Sequence, residues 1–355
     1  MTTTRSPNNF DAMRLLLAAS VILYHTAFLS RVPALAWATG DHWGSAGIQG
    51  FFFISGFLIV ASHERSRGLR DYLVRRARRI VPAYVVVVLC AAVLLAGVSR
   101  LPVADYFRDP RLYRYIGFNL VLSNFGAPTL PGVFEGNFKH PVDGSLWTIK
   151  IEVMFYLLVP VLCWLMARWR QRGLLPALGV ASIAWYAGFE QAGLALHKGF
   201  LEQLAVQLPG QLCYFIGGIV AYRRSEAGLP ATAGWQALLG AVLYCALDGV
   251  AWRVASPLAV YLVMSWACLR MPFVGSPARR GDISYGIYLL HWPVVQTAVA
   301  LGAFAAHPLA ATLACWCVVT VLGYASWYGV ERRFLQPAAK PAEPAPAALA
   351  VASLE

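Results

Sequence analysis

Arg14 and His25 stand eleven positions apart in the first apolar run of the chain, RLLLAASVILYH. Eleven helical steps turn through about 1100°, roughly 20° past three full turns, so both side chains share one helix face about 16 Å apart along the axis. A neutral imidazole in a desolvated bundle suits a general base for a hydroxyl nucleophile, and a guanidinium at the inner mouth suits a phosphorylated cytosolic donor. The plainer readings are an Arg14 that snorkels to the interface and a His25 that is only hydrogen-bonded in the core.

GSLWTIKIEVMFYLLVP, residues 144–160, carries Lys150 and Glu152 a few positions into another apolar run. Counting depth from the same end predicts that Glu152 and His25 meet at one level, where a carboxylate orients the imidazole or raises its basicity. Glu152 as structural glue, paired with Lys150 or an Arg, is the alternative. In GFFFISGFLIV, residues 50–60, Ser55 and Gly56 leave room for a close helix or an elongated ligand. The run LVRRARRIVP puts Arg75, Arg76, Arg78 and Arg79 ahead of a span. Their forks match phosphate oxygens, and membrane anchoring explains them equally well. His291 lies in ISYGIYLLHWPV, near mid-bilayer, and Glu331 is expected to pair with one of the arginines after the second span.

These residues need a membrane bundle to position them. The chain has 355 residues, 59% apolar and only 13% charged, with mean hydropathy +0.58. A soluble domain carries about 25% charged residues, so that class is excluded. Apolar runs at 13–30, 47–62, 80–98, 146–167, 174–190, 203–222, 233–250, 256–270, 283–302 and 309–330 predict an all-α polytopic protein of about ten transmembrane helices. The stretch 111–125 is a further helix, an interfacial piece or a re-entrant one. The net charge of +12 gathers on one side of this arrangement, with seven arginines in 63–79 alone. The positive-inside rule then puts both termini in the cytoplasm and removes the need for a nucleic-acid partner. Asp11 and His25 argue that the first run is a span and not a cleaved leader. Residues 1–335 read as one transmembrane domain and 336–355 as a disordered Pro/Ala-rich tail. The seven cysteines lie in apolar runs with no metal-ligand spacing, so they read as small buried residues, with neither a disulfide framework nor a metal site expected.

Taken together and in order, Arg14-x10-His25, FFFISGFL, RRARRIVPAY, GSLWTIKIEVMFY, ISYGIYLLHWPV and ASWYGVERRF resemble the acyltransferase 3 family, over residues 8–335. The resemblance implies a bundle in the bacterial cytoplasmic (inner) membrane. It also implies transfer of an acyl group, usually acetyl from acetyl-CoA as co-substrate, to sugar hydroxyls on the periplasmic side, with no permanently bound cofactor. Carried over, His25 is the catalytic residue with Glu152 beside it. Arg14, Arg75, Arg76, Arg78 and Arg79 handle the donor's CoA end, and Ser55, Tyr285 and His291 line the acyl path. Many family members carry a periplasmic SGNH-type domain after the bundle, and none is expected here.

The long segment 99–145 is rich in aromatic and short polar side chains, a mixture that suits carbohydrate. Phe125, Phe138 and Asp143 are the expected acceptor contacts, and the acceptor is a polysaccharide or lipid-linked oligosaccharide. The rival reading is a polytopic transporter or flippase, for which no convincing internal repeat is visible.

Overall fold

Inside a bilayer each backbone N–H must find its partner within its own segment, so apolar runs become helices. The computed structural model describes residues 8–169 and 173–335, and among them every regular element is helical. The expected tail at 336–355 lies outside the described residues. In chain order the helices are α1 (Phe10–Ser30), α2 (Asp41–Glu64), α3 (Leu69–Leu94), α4 (Val103–Arg108), α5 (Pro110–Leu120), α6 (Trp147–Trp169) and α7 (Leu174–Leu196), then α8 (Gly199–Ala205), α9 (Leu208–Glu226), α10 (Gly234–Ala246), α11 (Gly249–Leu269), α12 (Ser284–Ala300), α13 (Pro308–Ser326) and α14 (Arg332–Phe334).

All ten predicted runs fall on helices, and seven helical segments among the described residues are long and apolar enough to cross a membrane. The other three are α10, with 13 residues, α12, with 17, and α7, whose second half carries Glu190 and Gln191. The run predicted at 233–250 stops at Ala246 because Leu247 and Asp248 are extended and Gly249 takes φ +55°. Residues 111–125 hold α5, begun by Pro110 and by the Asp109 side chain, which accepts from the Arg111 N–H. Its 11 residues rise about 16 Å, too short to span.

Close backbone approach builds the centre of the bundle. A methyl group on Gly56 of α2 would strike the Phe215 carbonyl of α9, and one on Gly218 would strike the Phe53 carbonyl. The two glycines therefore let α2 and α9 touch backbone to backbone. Helix α1 lies antiparallel to α2, with Gly47 against Val21 and Phe10 against Phe57. Its start is fixed by Asn9, whose amide donates to the Ala267, Met271 and Pro272 carbonyls and whose Oδ1 accepts from the Val274 N–H. That anchoring sets the height of Arg14 and, three turns on, of His25. Of the cysteines, Cys213, Cys268 and Cys315 are buried, while Cys90, Cys245 and Cys317 lie on the outer faces of their helices, contrary to expectation. In a membrane bundle an apolar helix face can point out of the protein, so an apolar run does not require burial of each of its residues.

Candidate active site

Two chambers meet inside the bundle. The first, about 150 Å³, opens toward the arginine-rich end and is lined by Arg14, Ser55, Arg76, Arg79, Glu152, Tyr156 and Tyr285 among others. The second, about 260 Å³, lies toward the opposite end and is lined by Tyr24, His25, Phe28, Ser45, Gly144, Trp147 and Trp292. Ile48 lines both. A third cavity of about 450 Å³ shares Arg14 and Leu58 with the first and carries Arg224.

In the second chamber His25 Nδ1 lies 2.7 Å from His291 Nε2, and His291 Nδ1 lies 2.7 Å from the Tyr288 carbonyl oxygen. A carbonyl only accepts, so His291 Nδ1 carries its proton, and in the neutral ring Nε2 is then an acceptor. His25 Nδ1 must therefore donate, which leaves the lone pair on His25 Nε2. The Trp292 and His25 ring centres stand 4.7 Å apart with their planes at 66°, and both histidines are buried. An imidazole with its tautomer fixed in this way has the free lone pair that general-base chemistry requires.

Ser55 Oγ donates to Glu152 Oε1 at 2.9 Å on the wall of the first chamber. The carboxylate is thus not the partner of His25, as the depth count predicted; His291 is. The reason lies in segment 127–146, which folds down into the bundle with Leu130, Val133, Phe134, Val142 and Ser145 buried. Helix α6 accordingly begins at the level of His25, with Trp147 in the same chamber. Glu152, five residues on, sits about 7.5 Å nearer the arginine-rich end. Lys150 turns away from Glu152 and donates to Gln207 Oε1 at 2.7 Å, with Phe125 beneath it.

The arginine cluster divides by helix face. Arg76 and Arg79 line the first chamber, whereas Arg75 is held by Asp71 and Ser66 and, like Arg78, does not line it. Arg79 pairs with Asp282 at 2.6 Å and with Glu331 at 3.6 Å, as expected for Glu331. Arg14 also reaches Asp282, at 3.3 Å, as well as Asp11 at 2.5 Å. Asp282 is thus the hub of the cluster, unnoticed in the sequence because it reads as a loop residue before α12. Burial pushes its carboxyl up, but the Arg79 and Arg14 guanidiniums outweigh that and hold it down at about 2. Arg76 makes no ion pair with a carboxylate among the described residues; it donates to Ser62 Oγ and lies 5.7 Å from the Tyr156 ring centre.

Tyr285 lines the first chamber and donates to the Ile80 carbonyl. Thr148 Oγ1 donates to the Ser145 carbonyl, so the Tyr288 hydroxyl, 2.6 Å away, must donate to Thr148. That chain ties α12 to the start of α6 in the wall of the first chamber. His291, expected along the acyl path, lines neither chamber and sits behind His25, bonded to its Nδ1. Phe125 is exposed beside Lys150, and Phe138 is exposed beside Phe28 at the mouth of the second chamber. Asp143 is not on the surface, as expected of an acceptor contact, but is buried, accepting from the Ser145 N–H and hydroxyl. Burial raises its carboxyl to about 7 against those two bonds.

Comparison with known proteins identifies the family. The family model described as an acyltransferase domain matches residues 8–330. An O-acetyl transferase of Shigella phage Sf6 is 26% identical over 92% of this chain and 96% of its own length. The exopolysaccharide production protein ExoZ of Rhizobium meliloti is 29% identical over 84% of this chain and 92% of its own. Nodulation protein 10 of Rhizobium leguminosarum bv. viciae is 27% identical over 83% and 84%. No solved structure matches significantly. A multi-pass helical bundle with a histidine-lined chamber, matched along nearly its whole length, makes this chain a member of the acyltransferase 3 family and an O-acyltransferase.

Proposed function

We propose that this chain moves an acetyl group from cytoplasmic acetyl-CoA to a sugar hydroxyl of an exopolysaccharide or O-antigen on the periplasmic side of the bacterial cytoplasmic membrane, with His25 as general base. The observation that carries the reading is the ordered His25–His291 pair in a chamber that meets an arginine-walled chamber across Ile48. Under the positive-inside rule the arginine-rich end faces the cytoplasm. There Arg76, with Arg14 and Arg79 beside it, meets the donor's phosphates. The narrow first chamber admits the slender thioester arm, and the Glu152 carboxylate accepts from the amide N–H groups of that arm.

The acceptor enters the second chamber from the other end. His25 Nε2 takes the proton of the attacking hydroxyl as its oxygen bonds to the acyl carbon. The carbon–sulfur bond then breaks, and the imidazolium returns the proton to the departing thiolate. The Shigella phage relative named as an O-acetyl transferase and the Rhizobium meliloti relative named for exopolysaccharide production support the acyl group and the acceptor class. Membranes carrying the protein, given acetyl-labelled acetyl-CoA and a panel of polysaccharides, test the reading. Alkali-labile label in polymer with matching release of free CoA is expected. Label that crosses the membrane with the thioester intact contradicts it and favours transport.

A further inference from the structure

The mouth of the His25 chamber carries more positive charge than its surroundings neutralise. Arg31 caps the end of α1 with φ +54°, six residues beyond His25 and so about 9 Å further along. Its guanidinium carbon stands 4.6 Å from the centre of the Phe138 ring, and Lys139 Nζ stands 5.0 Å from the same centre. Lys139 Nζ is also 5.6 Å from the Phe28 ring, which lines the chamber. Neither cation makes an ion pair with a carboxylate among the described residues. Aromatic faces soften the repulsion of two like charges but do not cancel it.

The arrangement is built and not incidental. The buried Gln296 of α12 donates to the carbonyls of Lys139 and Pro141 and accepts from Asn137, whose amide also reaches the Gln296 carbonyl. Trp292, a wall of the chamber, donates to the Pro141 carbonyl. Five hydrogen bonds thus pin residues 137–141 to α12 beside the Trp292 wall of the His25 chamber and fix where Phe138 and Lys139 emerge. A loop held this firmly at a chamber entrance, with two uncompensated cations around one ring, lacks only its counter-charge.

We propose that Arg31 and Lys139 form an anion subsite at the entrance of the acceptor chamber, and that the preferred acceptor is an acidic saccharide with a carboxylate close to the hydroxyl that is acylated. The inference rests on the acceptor entering at this end. The charges recognise the carboxylate of one sugar while the hydroxyl of its neighbour reaches His25, which restricts the polymer and the register that enter. Electrostatic recognition at an exposed mouth weakens with salt.

The test is equilibrium binding to the purified full chain in neutral-lipid nanodiscs, with no donor present. The probes are a panel of uronate oligosaccharides and their carboxyl-reduced counterparts. The wild type is expected to prefer at least one uronate form by about tenfold, and salt to erode the preference. Arg31→Gln with Lys139→Gln should bring the ratio near one, and Arg31→Lys with Lys139→Arg should restore most of it. Equal binding of both forms across the panel, or a preference that survives the double neutral variant, overturns the subsite. Nanodiscs of phosphatidylglycerol form a separate arm. If the neutral variant loses only retention of that lipid while the saccharide preference persists, the pair is a lipid anchor and the proposal fails. Because binding is read without donor, absence of acetyl transfer defeats the acetyltransferase reading and leaves the subsite to stand or fall alone.

Discussion

His25 and His291 stand 2.7 Å apart, nitrogen to nitrogen, across the contact between α1 and α12, with ring centres 4.9 Å apart and planes tilted by 19°. The Tyr288 carbonyl at the far side of His291 decides which way the protons point. The hydrogen bonds therefore run in one direction: His25 Nδ1 donates to His291 Nε2, which leaves the lone pair on His25 Nε2.

Replacing His291 by Leu should lower kcat by about 100-fold with little change in donor KM, because His25 loses the acceptor that fixes its tautomer. His291→Gln, whose side-chain oxygen can accept from His25 Nδ1, should recover part of the rate. Steady-state release of free thiol from the two variants checks this. Equal losses in both would mean that His291 matters only for packing.

Arg76 is the chamber arginine that makes no ion pair with a carboxylate among the described residues, and it is the one proposed to meet the donor. Arg76→Ala should raise donor KM by about tenfold or more, and Arg75→Ala should raise it distinctly less. Comparing KM for acetyl-CoA in the two variants decides whether the cluster acts by face or by total charge.

Asp282→Asn should act on stability first. Two arginines lose the carboxylate they share, a change that costs about 3 kcal/mol when a partly buried pair is broken. The Asp282 carboxyl is held at about 2, below its unfolded value, so its contribution is complete above about pH 4 and disappears as pH falls toward 2. Thermal denaturation in detergent should show a Tm gap between wild type and variant that is flat from about pH 5 to 8. A gap that opens or closes within that range would contradict the assignment.

Asp143 has the opposite sign. Burial raises its carboxyl to about 7, above its unfolded value, so the group favours the fold at low pH and opposes it progressively as pH rises toward 7. Asp143→Asn keeps an oxygen for the Ser145 N–H and removes the ionisation. The variant should gain Tm over wild type at pH 8 and lose that advantage at pH 4. A pH-independent difference would place the cause elsewhere.

Much of this site was legible in the chain because it lies along single helices. The Arg14-x10-His25 spacing put one residue in each chamber, and in the Ser55–Gly56 pair Gly56 admits the α9 backbone while Ser55 lines the first chamber. The Glu331 to Arg79 contact also followed from placing both at one end. What the chain concealed were relationships set by how segments meet. The His25–His291 bond joins positions 266 apart, through a helix crossing that no periodicity encodes. Glu152 was misjudged because depth counted from the end of a run assumes that the loop before it stays at the surface, and 127–146 does not. Asp282 and Gln296 escaped notice for the same reason, since each organises a segment it is not part of.

Acyl transfer, as proposed here, depends on His25 Nε2 as its base. Wild type and His25→Ala, purified and shown to have equal Tm, should be given labelled acetyl-CoA with and without polysaccharide acceptor, and free CoA and alkali-labile label in polymer measured together. Acceptor-dependent CoA release and polymer label should both fall by at least about 100-fold in the variant while donor binding persists. Transfer at the wild-type rate without the imidazole would contradict it.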